Sequence, residues 1–101
     1  MALDFHRLDN QEYLFGLNNK EYSNLNEIFT EYKHWTGIYI DQYGDTRLSV
    51  ENQKTLIKII DIYIEKTNLN LDKQKTINIL EFRALMNYFS SKNLDIETLG
   101  D

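Results

Sequence analysis

Cysteine is absent from this chain, which excludes disulfides, thiolate metal sites and a cysteine nucleophile. Proline is absent too. The four glycines, Gly16, Gly37, Gly44 and Gly100, stand apart as punctuation, so no linker, low-complexity run or internal repeat divides the sequence. Long apolar runs are missing. The opening residues 1–7, MALDFHR, do not read as a signal peptide, and the richest apolar stretch, residues 56–64, is broken by Lys58 and Asp61, so no membrane span is expected. A cytoplasmic location follows as the default. Positive charge is scarce as well: Lys54 and Lys58 are answered by Asp61 and Glu65, while Lys73, Lys75 and Lys92 are scattered. A nucleic-acid duplex needs several Lys or Arg side chains on one face, so nucleic-acid binding is not expected.

What remains is enough for one ordered domain. The 101 residues are 42% hydrophobic and 13% aromatic, which suits a single packed core with no room for a separate cofactor domain. The acid is lopsided. Residues 1–47 hold eight carboxylates against four Lys or Arg, a net charge of −4; residues 48–101 hold eight against seven, a net −1. The acidic part also carries Tyr13, Tyr22, Tyr32, Trp35, Tyr39 and Tyr43. Acid mixed with aromatics suits a surface that meets a basic protein, because charge steers encounter and rings supply contact area.

Periodicity predicts a mainly helical α+β domain, three helices with a β-hairpin between the first two. Residues 1–17 form an arm or a short strand. A helix over 19–36 is capped by Asn18 with Glu21 as the returning carboxylate, shows Tyr22, Leu25, Ile28, Phe29, Tyr32 and Trp35 on one face, and stops at Gly37. Alternation over residues 38–50, around the turn residues 42–46 with Gly44 supplying positive φ, predicts the hairpin. Ser49 caps a second helix over 50–67, whose wide apolar arc marks it as the most buried of the three. Asp72 caps a third over 72–91, Asn93 takes its left-handed end, and 94–101 is a tail. The third helix carries two apolar rows, Ile77, Leu80, Ala84 and Tyr88, and, rotated by roughly 120–200°, Ile79, Phe82, Met86 and Phe89. Two rows require cover on two sides, from the arm, the hairpin or another protein. Ile79, Phe82, Met86 and Phe89 are thus a possible second interface, and the basis of an alternative reading as a homodimeric helical regulatory or scaffold module.

Residues of the types that carry chemistry lack the spacing for it. His6 and His34 belong to no metal-binding pattern, and His34 falls on a polar face beside Glu27 and Glu31. Aligning Gly44 with the glycine of a calcium loop puts Tyr39 and Val50 where carboxylates are required. No nucleophile elbow, phosphate-cradling loop or dinucleotide fingerprint occurs. Glu81 sits inside an apolar arc, either as a carboxylate at the core's edge or as a buried acid. The expectation is a non-enzyme without metal or cofactor; a small ligand-binding domain or enzyme is the third reading.

Glu27, Glu31, Tyr39, Asp41, Tyr43 and Asp45 are the expected partner-binding residues. The segment 36–45, TGIYIDQYGD, followed by a capped helix, in a small, acidic, Cys-free chain rich in Asn, Ile and Tyr, resembles the immunity proteins of bacterial polymorphic-toxin and contact-inhibition systems. That resemblance implies a protein that binds a toxin domain, often a basic nuclease, and blocks its active site. It implies no particular fold.

Overall fold

In a computed structural model that describes residues 3–68 and 70–100, local chemistry sets most element boundaries. The chain opens with β1 (Leu3–Arg7) and β2 (Tyr13–Leu17), an antiparallel hairpin whose turn is closed by the Arg7 amide donating to the Glu12 carbonyl at 2.8 Å. Helix α1 (Asn19–Thr36) begins at a full capping box: Asn18 Oδ1 accepts from the Glu21 amide, and Glu21 accepts from the Asn18 amide. Gly37 ends it at φ 79°, a conformation glycine adopts without steric cost. After the 38–45 connection come β3 (Thr46–Leu48) and then α2 (Val50–Lys66), boxed by Ser49 and Asn52. Helix α3 (Lys73–Ser91) is capped by Asp72, and Asn93 turns the chain at φ 59° into β4 (Ile96–Gly100).

The strands make one antiparallel sheet in the order β2-β1-β4-β3. Its inner face offers Leu3, Phe5, Leu17, Leu48, Ile96 and Thr98 to the helices, while the alternate residues Asp4, His6, Arg47 and Glu97 are half-buried or exposed on the other face. Phe82 of α3 lies at the centre of the aromatic core, edge-on to Phe5, Phe15 and Phe29. The α+β class is as expected, and so are the three helices, but the strand arrangement is not. The three-helix domain with a single hairpin becomes a helical layer on a four-stranded sheet.

Two corrections explain the difference. The expected hairpin over 38–50 does not form. Ile40 is fully buried and its carbonyl accepts the Tyr22 hydroxyl at 2.6 Å, so this stretch is held against α1 and only Thr46–Leu48 becomes a strand. The expected tail is the missing partner: Ile96–Gly100 pairs with β1 on one side and β3 on the other, its Ile96 and Thr98 buried. Gly44 does not take positive φ; among the described residues that conformation falls to Gln11, Gly37 and Asn93. Nor is α2 the most buried helix. Leu56, Ile59 and Ile60 reach the core, but Ile57, Ile62, Tyr63 and Ile64 are only half-buried, because α2 packs on α1 and α3 and meets the sheet mainly at β3. Among the described residues, no helix is long and apolar enough to cross a membrane.

Buried polar groups tie the layers together. The Gln53 side chain, fully buried on α2, donates to the carbonyls of Leu48 and Leu94, joining the end of β3 to the segment that precedes β4. Asn24 donates to Asn78 at 2.6 Å, a buried amide pair between α1 and α3. Such partners matter because a buried polar group left unmatched costs about 1–3 kcal/mol.

Candidate protein-docking surface

The connection between α1 and β3 is irregular but fixed. Burial, and the adjoining Tyr39 hydroxyl, push the Tyr22 hydroxyl well above the usual tyrosine range, so it stays protonated and keeps its grip on the Ile40 carbonyl. The Tyr39 hydroxyl lies 3.2 Å from that of Tyr22 and 3.3 Å from Asn26 Oδ1, and the Lys33 ammonium sits over its ring at 5.4 Å. Beyond it, Asp41 Oδ1 accepts the Tyr43 amide at 3.0 Å, and its carbonyl receives the Gly44 amide at 3.3 Å, which is the local bonding that makes aspartate a turn former. Gly100 is the floor of this turn: a Cβ there would fall 2.5 Å from the Gln42 carbonyl and 2.6 Å from the Gly44 nitrogen.

Four of the expected site residues are therefore on one braced loop. Tyr43 is the most projecting, at 70% exposure, with Asp45 exposed and Tyr39 at 37%. Asn19, Ser23, Asn26 and Gln42 line an open hollow of about 360 Å³ between this loop and the first two turns of α1. Such a surface offers rigid rings, carboxylates and amide groups together.

Glu27 and Glu31 are elsewhere. On a helix with 3.6 residues per turn they lie about 100° and 140° around α1 from Asn26, so the six residues do not share one face. Glu27 reaches across to Lys75 on α3 and accepts the Tyr63 hydroxyl at 3.1 Å. The Lys75 ammonium holds its carboxyl below the usual glutamate range. Glu31 accepts from the Trp35 indole at 3.1 Å and lies 3.5 Å from His34. The two carboxylates border a shallow groove with Tyr63 and Lys66. His6 is remote from this groove, on the sheet's outer face with its ring edge-on to Tyr13. Among the described residues, no three His, Asp or Glu side chains gather as a cation site.

The possible second interface on α3 is overturned. Ile79, Phe82, Met86 and Phe89 are all buried on the side of α3 that packs on α1 and α2, and the N-terminal hairpin adds to the cover: Phe15 stacks on Phe89 and meets Phe82 edge-on. The row left outside is the other one, with Ile77 at 49%, Leu80 at 45% and Tyr88 at 54% exposure, and Ala84 exposed between them. Glu81 is exposed beside it, which removes the buried-acid reading. Periodicity had found both rows. The packing of α1, α2 and the N-terminal hairpin on α3 decides which of them is covered.

Compared with known protein families, curated proteins and solved structures, the chain matches none.

Proposed function

We propose that this chain is a non-catalytic protein-binding module of the immunity-protein kind, which binds and neutralises a basic bacterial toxin domain in the cytoplasm. The observation that carries the reading is the braced loop, which presents Tyr39 and Tyr43 with Asp41 and Asp45 on the acidic part of the chain. Its carboxylates favour encounter with positive charge, and its tyrosines bury area with little loss of side-chain freedom. Loop rigidity adds to affinity, because less order remains to be imposed on binding. Glu27 is a lesser contributor, its charge already engaged by Lys75.

A photo-crosslinking residue in place of Tyr43, with one in place of exposed Lys54 as control, tests the reading in the source cell. The expected result is a toxin domain of net positive charge captured from position 43 alone. Reversing Asp41 and Asp45 to lysine then slows association and flattens its salt dependence. Tyr39→Ala speeds dissociation, at a cost on the order of 2 kcal/mol. Equal capture from both positions, or unchanged binding by the charge-reversed variant, would show that the surface is misplaced.

A further inference from the structure

We infer that the outer edge of β2 takes an extended, basic segment of another protein, which joins the sheet as a further strand along the flank of α3. β2 is the end strand in the order β2-β1-β4-β3, and among the described residues no strand pairs with its outer side. The ladder shows which backbone groups lie there. The Arg7 amide donates to the Glu12 carbonyl at 2.8 Å and the Arg7 carbonyl accepts the Gln11 amide at 3.0 Å, so Arg7 faces the hairpin. The Leu8 amide, next along, donates to the Asp95 carbonyl on the β4 side. Alternation then turns Leu3 and Phe5 towards β2. Their opposites, Leu17 and Phe15, use their backbone groups on β1, and Gly16 between them aims its amide and carbonyl outwards. Sheet edges are commonly guarded by charge, proline or shortness. The other edge strand, β3, has only three residues, and its Thr46 hydroxyl donates to the Tyr39 carbonyl. β2 has five, YLFGL, none of them charged or proline, with a bulge at Leu14.

Charge selects the occupant. Between β2 and α3 runs a groove of about 190 Å³, with Phe15, Phe82 and Leu85 as apolar wall and Glu21 and Glu81 as acidic one. A strand laid along β2 alternates its side chains between the two faces of the sheet, so every second one enters this groove. Among the described residues, neither Glu21 nor Glu81 pairs with Lys or Arg. Lys75 and Arg83 are engaged by Glu27 and Asp61. Lys73 and Lys92 stand eight and eleven residues from Glu81. That is about 12 and 17 Å along the helix, beyond the screening length of about 8 Å. Lys20, next to Glu21 in sequence, projects about 100° away round α1. The groove is therefore negative, and the segment it accepts carries Lys or Arg at one inward position and an apolar residue at the next. Glu21 also lies about 160° round α1 from Ser23, which lines the hollow beside the 38–45 loop. The groove and the loop are thus separate surfaces, and neither reading depends on the other.

The probe is the peptide STRTITS, whose arginine and isoleucine face inwards on either side of a central threonine set against Gly16. Amide NMR spectra of the full chain, recorded as the peptide is raised to about 1 mM, detect even weak binding. The expected result is a saturable shift of the Gly16 and Leu17 amides. Replacing the peptide's arginine by glutamate weakens binding at least ~10-fold by removing the charge match. Methylating the backbone nitrogen of the central threonine does the same, because that amide donates to the Gly16 carbonyl. On the protein, Glu81→Lys also costs at least ~10-fold, whereas Glu65→Lys, the same charge change at an exposed site on α2, stays within about twofold. Both variants keep the wild-type circular dichroism, since both sites face solvent. Three results would overturn the inference: no shift along β2, binding indifferent to the methylated nitrogen, or a loss from Glu81→Lys no larger than that from Glu65→Lys.

Discussion

The two apolar rows of α3 have similar composition and opposite fates. Ile79, Phe82, Met86 and Phe89 are buried where α3 meets α1, α2 and the rings of the N-terminal hairpin; Ile77, Leu80, Ala84 and Tyr88 face solvent on the same helix. A helix therefore does not choose its buried side by hydrophobicity alone. The choice is made by what the rest of the chain can lay against it. Here part of the cover is a hairpin that closes early in the chain and is completed by β4 at the far end, with Phe5 and Phe15 reaching Phe82, and the rest is α1 and α2.

Truncation separates the rows most sharply. Phe82→Ala removes the ring that touches Phe5, Phe15 and Phe29 and should cost about 3–5 kcal/mol of unfolding free energy. Leu80→Ala, two residues away, should stay within about 0.5 kcal/mol. Denaturant titration of the two variants makes the comparison. Near-equal losses would mean that the outer row is covered in the isolated chain.

Gly100→Ala probes the far end of the same cover. The added methyl meets backbone rather than a movable side chain, at 2.5 Å from the Gln42 carbonyl. Either β4 or the 42–44 turn must shift, and overpacking of this kind costs about 1–3 kcal/mol. The same denaturant titration reads it. Because the turn carries Tyr43, the variant should also weaken partner binding, whereas Leu80→Ala should leave that binding unchanged.

How far the sequence reveals all this depends on the range of the interaction. The helix starts are local and legible: Asn18, Ser49 and Asp72 each bond an amide three residues on, and the chain's own spelling shows it. The sheet is not legible. Leu3 pairs with Gly100 across almost the whole chain, and five residues with two buried side chains, such as Ile96–Gly100, look like a tail until a neighbour is known. The loop over 38–45 alternates like a strand, yet the Tyr22 hydroxyl claims the Ile40 carbonyl, and no pattern within the loop announces a donor from α1. The acidic, aromatic character of the candidate site was readable for the same reason as the caps, because Tyr39, Asp41, Tyr43 and Asp45 are neighbours in sequence. Its separation from Glu27 and Glu31 required the loop's side of α1.

Between the two rows sits Asn78, buried and bonded to Asn24. Asn78→Ala strands the Asn24 amide in the interior and should cost about 1–3 kcal/mol, while Asn78→Ala with Asn24→Ala should recover part of that loss. A double-mutant cycle measures the coupling. If the two losses simply add, the amide pair does not act as a unit.

The smallest expected effect is on pH, and it concerns how α3 is tied to its neighbours rather than how it is covered. The Lys75 ammonium lowers the Glu27 carboxyl, and the Arg83 guanidinium lowers Asp61 through two hydrogen bonds at 2.7 and 3.1 Å. A carboxyl lowered in the folded state binds its proton less readily there than in the unfolded chain. Its stabilisation is therefore complete above the unfolded value, near 4, and disappears as the pH falls through the folded one. Both pairs are well exposed to water, so screening limits their joint contribution to about 1 kcal/mol or less. Comparing unfolding free energies at neutral pH and at about pH 3 for wild type and for the Glu27→Gln, Asp61→Asn double variant isolates that contribution. The variant should lose less stability on acidification, because it has already lost both pairs at neutral pH. If wild type and variant lose the same amount, these bridges do not hold α3 to α1 and α2, and its attachment rests on its buried side chains.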